Sequence, residues 1–421
     1  MTSTLLQQVR LLDPVSETDQ ALDVLISDGI IQAIAPELTD VPPDSQVRPC
    51  QGLILGPGLV DLYSHSGEPG FESRETLASL KQAATAGGFT QVAILPDTNP
   101  ALDHAGALAW FQAQSQPDDL LKIQVWGALT LGVKGEQMTE LAELAAAGVI
   151  GFADGQPLQN CSFTRHLLEY LYPLGKPVAL WPCDLKLAGK GVMREGIESL
   201  KFGLPGNPAI AETTALAVLL ELVADIGTPI HVMRVSTARS VELIHAAKER
   251  GLPVTASTSW MHLLLNSTHL QDYNTSLRLE PPLGSSADQS ALCRGIQQGI
   301  IDAIAIDHSP HTYEDKTVTF AEAPPGAIGL ELALPLLWQT LVSDGDWSAL
   351  ELWRALSVRP AQCLGQSVGA IAPGQPAELI LFDPNQSWTV NQQTLHSLAA
   401  NTPWLGQEIK GRITKTWFPR S

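Results

Sequence analysis

Four side chains able to do chemistry, His65, Asp154, Asp307 and His311, stand just beyond short apolar runs of the kind that form buried strands. Imidazoles and carboxylates gathered at one end of a set of strands can hold a hard cation such as Mg²⁺ or Ca²⁺. The C-terminal end of a strand is also where an α/β barrel keeps its reactive groups. The densest such stretch is Leu55 to Glu72, L-G-P-G-L-V-D-L-Y-S-H-S-G-E-P-G-F-E. Behind its Pro-Gly breaker, Asp61, Tyr63 and His65 occupy alternate positions and so share one face of a strand. A second cluster, Asp307–His311, reads D-H-S-P-H. Taken singly, each of these residues is an ordinary solvated or core side chain. Only their common placement after strands points to a site.

The elements that must position them alternate in type. Leu77–Ala86 is Ala-rich and helical, Gly87-Gly88 breaks it, and Thr90–Leu95 has strand character. Further strands are predicted at 149–152, 177–180, 229–235, 254–257 and 299–306, with helices at 139–147, 213–226 and 240–250 between them. Such β-then-α alternation predicts an α/β fold with a parallel (β/α)₈ TIM-type barrel. The two ends are β-rich. Leu22–Ser27 and Ile30–Ala35 flank the hairpin signal Asp28-Gly29, and Ala377–Phe382 is followed by a predicted hairpin about Lys410-Gly411. The expected organisation is therefore a barrel over 56–370, and a small β-sandwich built from both chain ends, 1–55 with 371–421.

The bulk properties bound the function. With 421 residues and 44% hydrophobic side chains, the chain can bury a large core. A formal net charge of −19 argues against nucleic acid or an anionic membrane as partner. Five scattered cysteines without a C-x-x-C pair exclude a zinc ribbon and predict free thiols. No apolar run reaches about 18 residues and the start lacks a signal-peptide pattern, so a cytoplasmic location is expected.

The Leu55–Glu72 stretch resembles the signature of the cyclic amidohydrolases, dihydroorotase most closely, P-G-x-x-D-x-H-x-H-x-R-E-P-G. The resemblance runs along nearly the whole chain: Ala83–Pro100, Ala128-Leu129-Thr130, Glu140–Gly148, Gly203–Glu212, Pro281-Pro282-Leu283, Asp307–His311, Ile328–Pro335 and Asn401–Arg412. It implies a two-zinc hydrolase of pyrimidine biosynthesis, in which the metals activate a water and an Asp shuttles the proton. Against that pattern, His65, Asp154 and Asp307 retain metal positions, Asp307 also being the vestigial catalytic shuttle. Tyr63, Trp181 and Arg234 replace three His ligands. On the substrate side, the family's Arg is Gly67, its Asn is Asp97, and the Asn and Arg bracketing Pro281-Pro282-Leu283 are Glu280 and Gly284. His311, facing the substrate carboxylate in the family, is kept. Asp61 and Glu68 read as structural support for the first loop, and His262 as a packing residue.

The resemblance thus implies a catalytically inactive relative, without a cofactor or with at most one divalent metal ion, Zn²⁺ or Mg²⁺. It also implies a homo-oligomer and a structural role beside aspartate carbamoyltransferase. The alternative is an active, diverged cyclic amidohydrolase using His65, Asp154 and Asp307 on at most one metal ion. An Arg at 234 would repel a cation and pair with Asp307 or Asp154. Carboxylates gained and guanidiniums lost at the mouth predict repulsion of an anionic substrate.

Overall fold

Among the residues described by the computed structural model, 3–114 and 121–419, eight short parallel strands close a barrel. Leu59–Ser64, Phe89–Ile94, Lys122–Gly127 and Gly151–Phe152 pair in that order. A bridge from Phe152 to Val178 joins them to Ala179–Leu180, Ile230–Val232, Val254–Ser259 and Ala303–Ala305. The ring closes between the last strand and the first. Asp307 N–H donates to the Tyr63 carbonyl (3.1 Å), and His65 N–H to the His308 carbonyl (2.8 Å). These closing bonds lie at the C-terminal ends of the strands, so the first and eighth loops are locked together where the candidate residues stand.

The barrel interior is a packed core. Tyr63, Trp126, Trp181 and Met233 fill it against Ala93, Ala179, Ala303 and Ala305, all buried. Large side chains facing small ones leave a filled cylinder. Trp126 also satisfies its indole N–H on the Leu62 carbonyl at 2.8 Å, as a buried indole requires. Helices pack outside. Leu77–Ala86 opens with a capping box, Thr76 with Ser79, and Ala238–Glu249 with Thr237 accepting from the Ser240 amide.

Both chain ends build the β-sandwich. Its continuous sheet runs Glu408–Trp417, Leu379–Thr389, Ile54–Pro57, Ser3–Asp13, Thr18–Ser27 and Ile30–Ala35, with Gln46–Pro49 also on Ser3–Asp13. The far strand bonds back to the segment before Leu379, Ile31 N–H to Gln375 O (3.0 Å) and Ala377 N–H to Gly29 O (2.8 Å). Leu6, Val9, Val24, Ile26, Leu55 and Leu381 make its own apolar core. At the Asp28-Gly29 turn both central residues have positive φ (51° and 79°), the geometry that dipeptide tolerates.

Two local readings need correction. Glu408–Trp417 is one continuous strand, not a hairpin about Lys410-Gly411. Gly411 (φ +106°) is required there for close packing: a Cβ would meet the Phe382 ring at 2.9 Å and the Pro335 Cα at 3.1 Å. The third barrel strand, Lys122–Gly127, stands where no strand is predicted, because Lys122 and Gln124 interrupt its apolar residues and its first half is not buried.

Candidate active-site cage

Tyr63 is the pivot of the site. Its phenol, fully buried, lies 2.9 Å from the Ser257 hydroxyl, which is 2.8 Å from His231 Nε2. The phenol oxygen also accepts the backbone N–H of Arg234 (3.1 Å), while the Tyr63 carbonyl accepts that of Asp307. Arg234 and Asp307 both adopt left-handed backbone conformations, φ 56° and 51°. For non-glycine residues these cost about 1–2 kcal/mol each. One tyrosine therefore holds both strained residues in place.

What the strain achieves is a fork-to-fork ion pair. Arg234 Nε and Nη2 donate to the two Asp307 carboxylate oxygens at 2.8 and 2.7 Å. Nη1 reaches the Gly155 carbonyl (2.9 Å) and Nη2 also lies 3.2 Å from His65 Nε2. The guanidinium carbon sits 4.9 Å from the centre of the Trp181 ring and 5.9 Å from that of Tyr63, within cation–π range. With only 5% of Arg234 exposed, nearly every donor is spent inside the protein. Of the two carboxylates offered by the sequence, Arg234 takes Asp307. The three substituted positions thus form one unit: Trp181 and Tyr63 wall the guanidinium, and Tyr63 fixes its backbone.

His65 bridges two carboxylates, with Nδ1 2.6 Å from Asp97 and Nε2 3.6 Å from Asp307. Burial alone would lower its pKa, but Asp97 and Asp307 outweigh that and raise it to about 9. Burial likewise opposes ionisation of Asp307, yet Arg234 and His65 hold it well below the usual carboxylate range. The cluster is a buried, charge-balanced set in which each ion has a partner.

Asp154 does not join this cluster. Its oxygens accept from the Leu129 and Thr130 amides (2.7 and 3.1 Å) and the Thr130 hydroxyl (2.5 Å). Burial pushes its pKa up to about 6 against those bonds. The next residue, Gly155, meets Arg234 through its carbonyl, a contact that residue types cannot disclose.

Above the cage is a cavity of about 240 Å³, walled in part by His65, Asp97, Trp181, His262, Asp307 and His311. The charge repulsion predicted at the mouth is offset there. Asp97 is paired with His65, and Glu280 with Arg278 at 2.8 Å. Gly67 leaves no side chain in the first loop, but Arg74, seven residues on, also lines the cavity. No apolar period or motif draws attention to it. His311 is 7% exposed, with Nε2 2.8 Å from the Pro325 carbonyl and its amide on Asn401 Oδ1. Asn401 also donates to the Ser309 carbonyl, and Trp404 stacks on Trp260 at 5.2 Å. The 401–404 segment therefore braces the eighth loop. Asp61 accepts the Ile306 amide (3.0 Å), Glu68 accepts the Leu77 amide (2.9 Å), and His262 is buried in the cavity wall.

This geometry sits on a chain whose residues 52–240 match the family model "Dihydro-orotase-like", and 210–418 the model "Amidohydrolase family". A "probable dihydroorotase-like protein" from Synechocystis sp. is 45% identical over 96% of this chain and 97% of its own. The chain belongs to the dihydroorotase-like amidohydrolases. A dihydroorotase from Pelobacter propionicus is 38% identical, covering 98% and 97% of the two chains. Among solved structures, the L-hydantoinase (dihydropyrimidinase) from Arthrobacter aurescens superimposes with a TM-score of 0.85 over 99% of this chain and 94% of its own, at 22% identity. That likeness speaks for the fold.

A two-metal centre is what this dihydroorotase-like fold implies, and the residues present do not suit one. Zinc needs nearly full ligation by deprotonated N, O or S groups. Here His65 and Asp307 are engaged by a permanent cation, Asp154 faces elsewhere, and Tyr63 and Trp181 offer no such ligand. Among the described residues, no group of three or more His, Cys, Asp and Glu side chains could hold a metal ion. No described helix is long and apolar enough to cross a membrane.

Proposed function

We propose that this dihydroorotase-like protein is a catalytically silent member of its family. The observation that carries this reading is the Arg234 guanidinium bonded to both Asp307 oxygens and beside His65. Opening or closing a cyclic amide needs an activated water, a proton shuttle and a grip on substrate. A metal lowers the pKa of bound water from about 15.7 to about 7, and nothing in the cage supplies an equivalent. Arg234 is a donor only and cannot take a proton. Asp307, the shuttle candidate, is held as a carboxylate by two cations, which weakens it as a base.

The place of such a protein is in pyrimidine biosynthesis, in the cytoplasm, as a structural partner. An aspartate carbamoyltransferase from the same cell is the partner to test first, and self-association the second property. Co-elution of the two purified proteins in size-exclusion chromatography with light scattering tests both. The catalytic reading is tested with dihydroorotate at high protein concentration and added Zn²⁺, beside an intact dihydroorotase. Turnover within about a hundredfold of that control, a loss of less than roughly 3 kcal/mol in transition-state stabilisation, would overturn it.

A further inference from the structure

Outside the barrel mouth the structure holds a second, smaller cavity of about 140 Å³, set between the helices Cys161–Leu171 and Ile210–Ile226. Of the residues that line it, only Trp181 also lines the mouth. Buried Leu180, Trp181 and Leu219 make its floor, and Cys161 and Val218, both exposed, stand at its lip. A ligand therefore has a way in from solvent without passing the cage. An engineered protein cavity of about 150 Å³ with aliphatic and aromatic walls stays dry and admits benzene, so the space here is that of one six-membered ring.

The chemistry of the wall sets the class of ligand. Four polar side chains reach it, and each is turned back onto the backbone. The Gln159 amide donates to the Cys183 carbonyl and accepts the Leu185 amide, both at 2.9 Å. The Thr164 and Thr214 hydroxyls donate to the Asn160 and Ile210 carbonyls (3.0 and 2.6 Å). Asp184 Oδ1 accepts the Lys186 and Leu187 amides (2.8 and 3.0 Å). Such a lining offers an occupant apolar contact rather than directional bonds. Its remaining groups are the Trp181 ring and the Cys161 and Cys183 sulfurs, polarisable partners that favour an aromatic ligand. Burial pushes the Cys183 thiol up to about 12, so it meets the cavity uncharged. The Asp184 carboxylate beside it disfavours an anion.

We propose that this pocket between the two helices is a binding site for a small uncharged aromatic molecule, separate from the barrel mouth. The site stands whether or not the cage turns over a substrate. Trp181 joins the two places: the ring that floors this pocket has the Arg234 guanidinium carbon 4.9 Å from its centre. The walls come from segments that meet only in the folded chain, so a ring seated on Trp181 stabilises that fold by mass action.

The test uses fluorobenzene as the probe, titrated into the wild-type protein and followed by fluorine NMR. The same titration is made on Val218→Trp and Ala215→Phe, two substitutions that put bulk into the pocket from the exposed and half-buried sides of one helix. Wild type should bind with a dissociation constant of about 1 mM or tighter, and both variants at least about tenfold more weakly. Benzoate and benzylamine, charged molecules with the same ring, should compete at least about tenfold less well than benzene, and cyclohexane should also compete less well. Melting curves without probe check that each variant is folded. An independent readout comes from Cys161, the one exposed thiol of the five. Its alkylation by iodoacetamide, read by mass spectrometry, should slow several-fold, up to about tenfold, with probe at ten times the dissociation constant. No binding up to the aqueous saturation of fluorobenzene overturns the proposal, as does undiminished affinity in a folded variant. Unslowed alkylation of Cys161 with the probe bound places the probe elsewhere and overturns the site. Equal competition by benzoate, benzylamine or cyclohexane overturns the ligand class.

Discussion

Replacing Arg234 by Met keeps most of the side-chain volume and removes the charge. The change deletes the two bonds to Asp307, the bond to the Gly155 carbonyl and the cation over Trp181. Asp307 then stays buried with His65, 3.6 Å away, as its remaining cation. Removing one partner of a buried ion pair costs about 3–5 kcal/mol, because the other charge is left uncompensated. His65 recovers part of this, so a value near the lower end, roughly 3 kcal/mol, is expected. Adding Asp307→Asn should restore much of the loss, since replacing both members of a buried pair is far less costly than breaking it. The assay is equilibrium urea unfolding of wild type, the two single variants and the double, followed by tryptophan fluorescence and circular dichroism. Coincidence of the two probes licenses a two-state free energy. A coupling of about 2–3 kcal/mol in the cycle is expected. An Arg234→Met cost below about 0.5 kcal/mol, or additive single effects, would show that the cage is not held by this pair.

Freshly purified protein should hold well under one equivalent of zinc per chain by elemental analysis, and two tightly held ions would contradict the donor geometry. Tyr63→Phe removes the hydroxyl that accepts the Arg234 amide and meets Ser257. It should destabilise the fold by about 1–3 kcal/mol in the same urea assay, and a neutral result would remove Tyr63 as the pivot. Tyr63→His alone should restore no activity with added Zn²⁺, because Trp181 and Arg234 still fill the site; measurable turnover would refute that. The pKa of His65 is raised in the folded protein, to about 9 from an ordinary 6.5. Its contribution to stability is therefore complete below about pH 6.5 and is lost as the pH climbs through about 9. The urea midpoint should fall over that window in wild type and fall less in His65→Gln. Parallel curves would locate the titration elsewhere.

The sequence by itself determined the architecture. Strand-like runs alternate with helical ones, and both ends are β-rich, because burial imposes its period on the chain wherever an element packs. A motif such as L-V-D-L-Y-S-H-S marks the mouth of a barrel strand for the same reason: one face of a strand is readable residue by residue. Loss of charge type was legible too, since Tyr63, Trp181 and Arg234 stand at identifiable positions. What tertiary structure alone decided is which partner each polar group found. Asp154 and Asp307 look equivalent in the sequence, yet the Leu129 and Thr130 amides capture one and Arg234 the other. Asp97 and Glu280 read as repulsive until His65 and Arg278 are seen beside them. Arg74 carries no signal of its own and reaches the cavity only because its loop folds over it. Gly155 takes part through its backbone, and a carbonyl is common to every residue type. Hydrogen bonds and ion pairs act over about 3 Å between residues as much as 358 apart in the chain, and that distance is set by the fold as a whole.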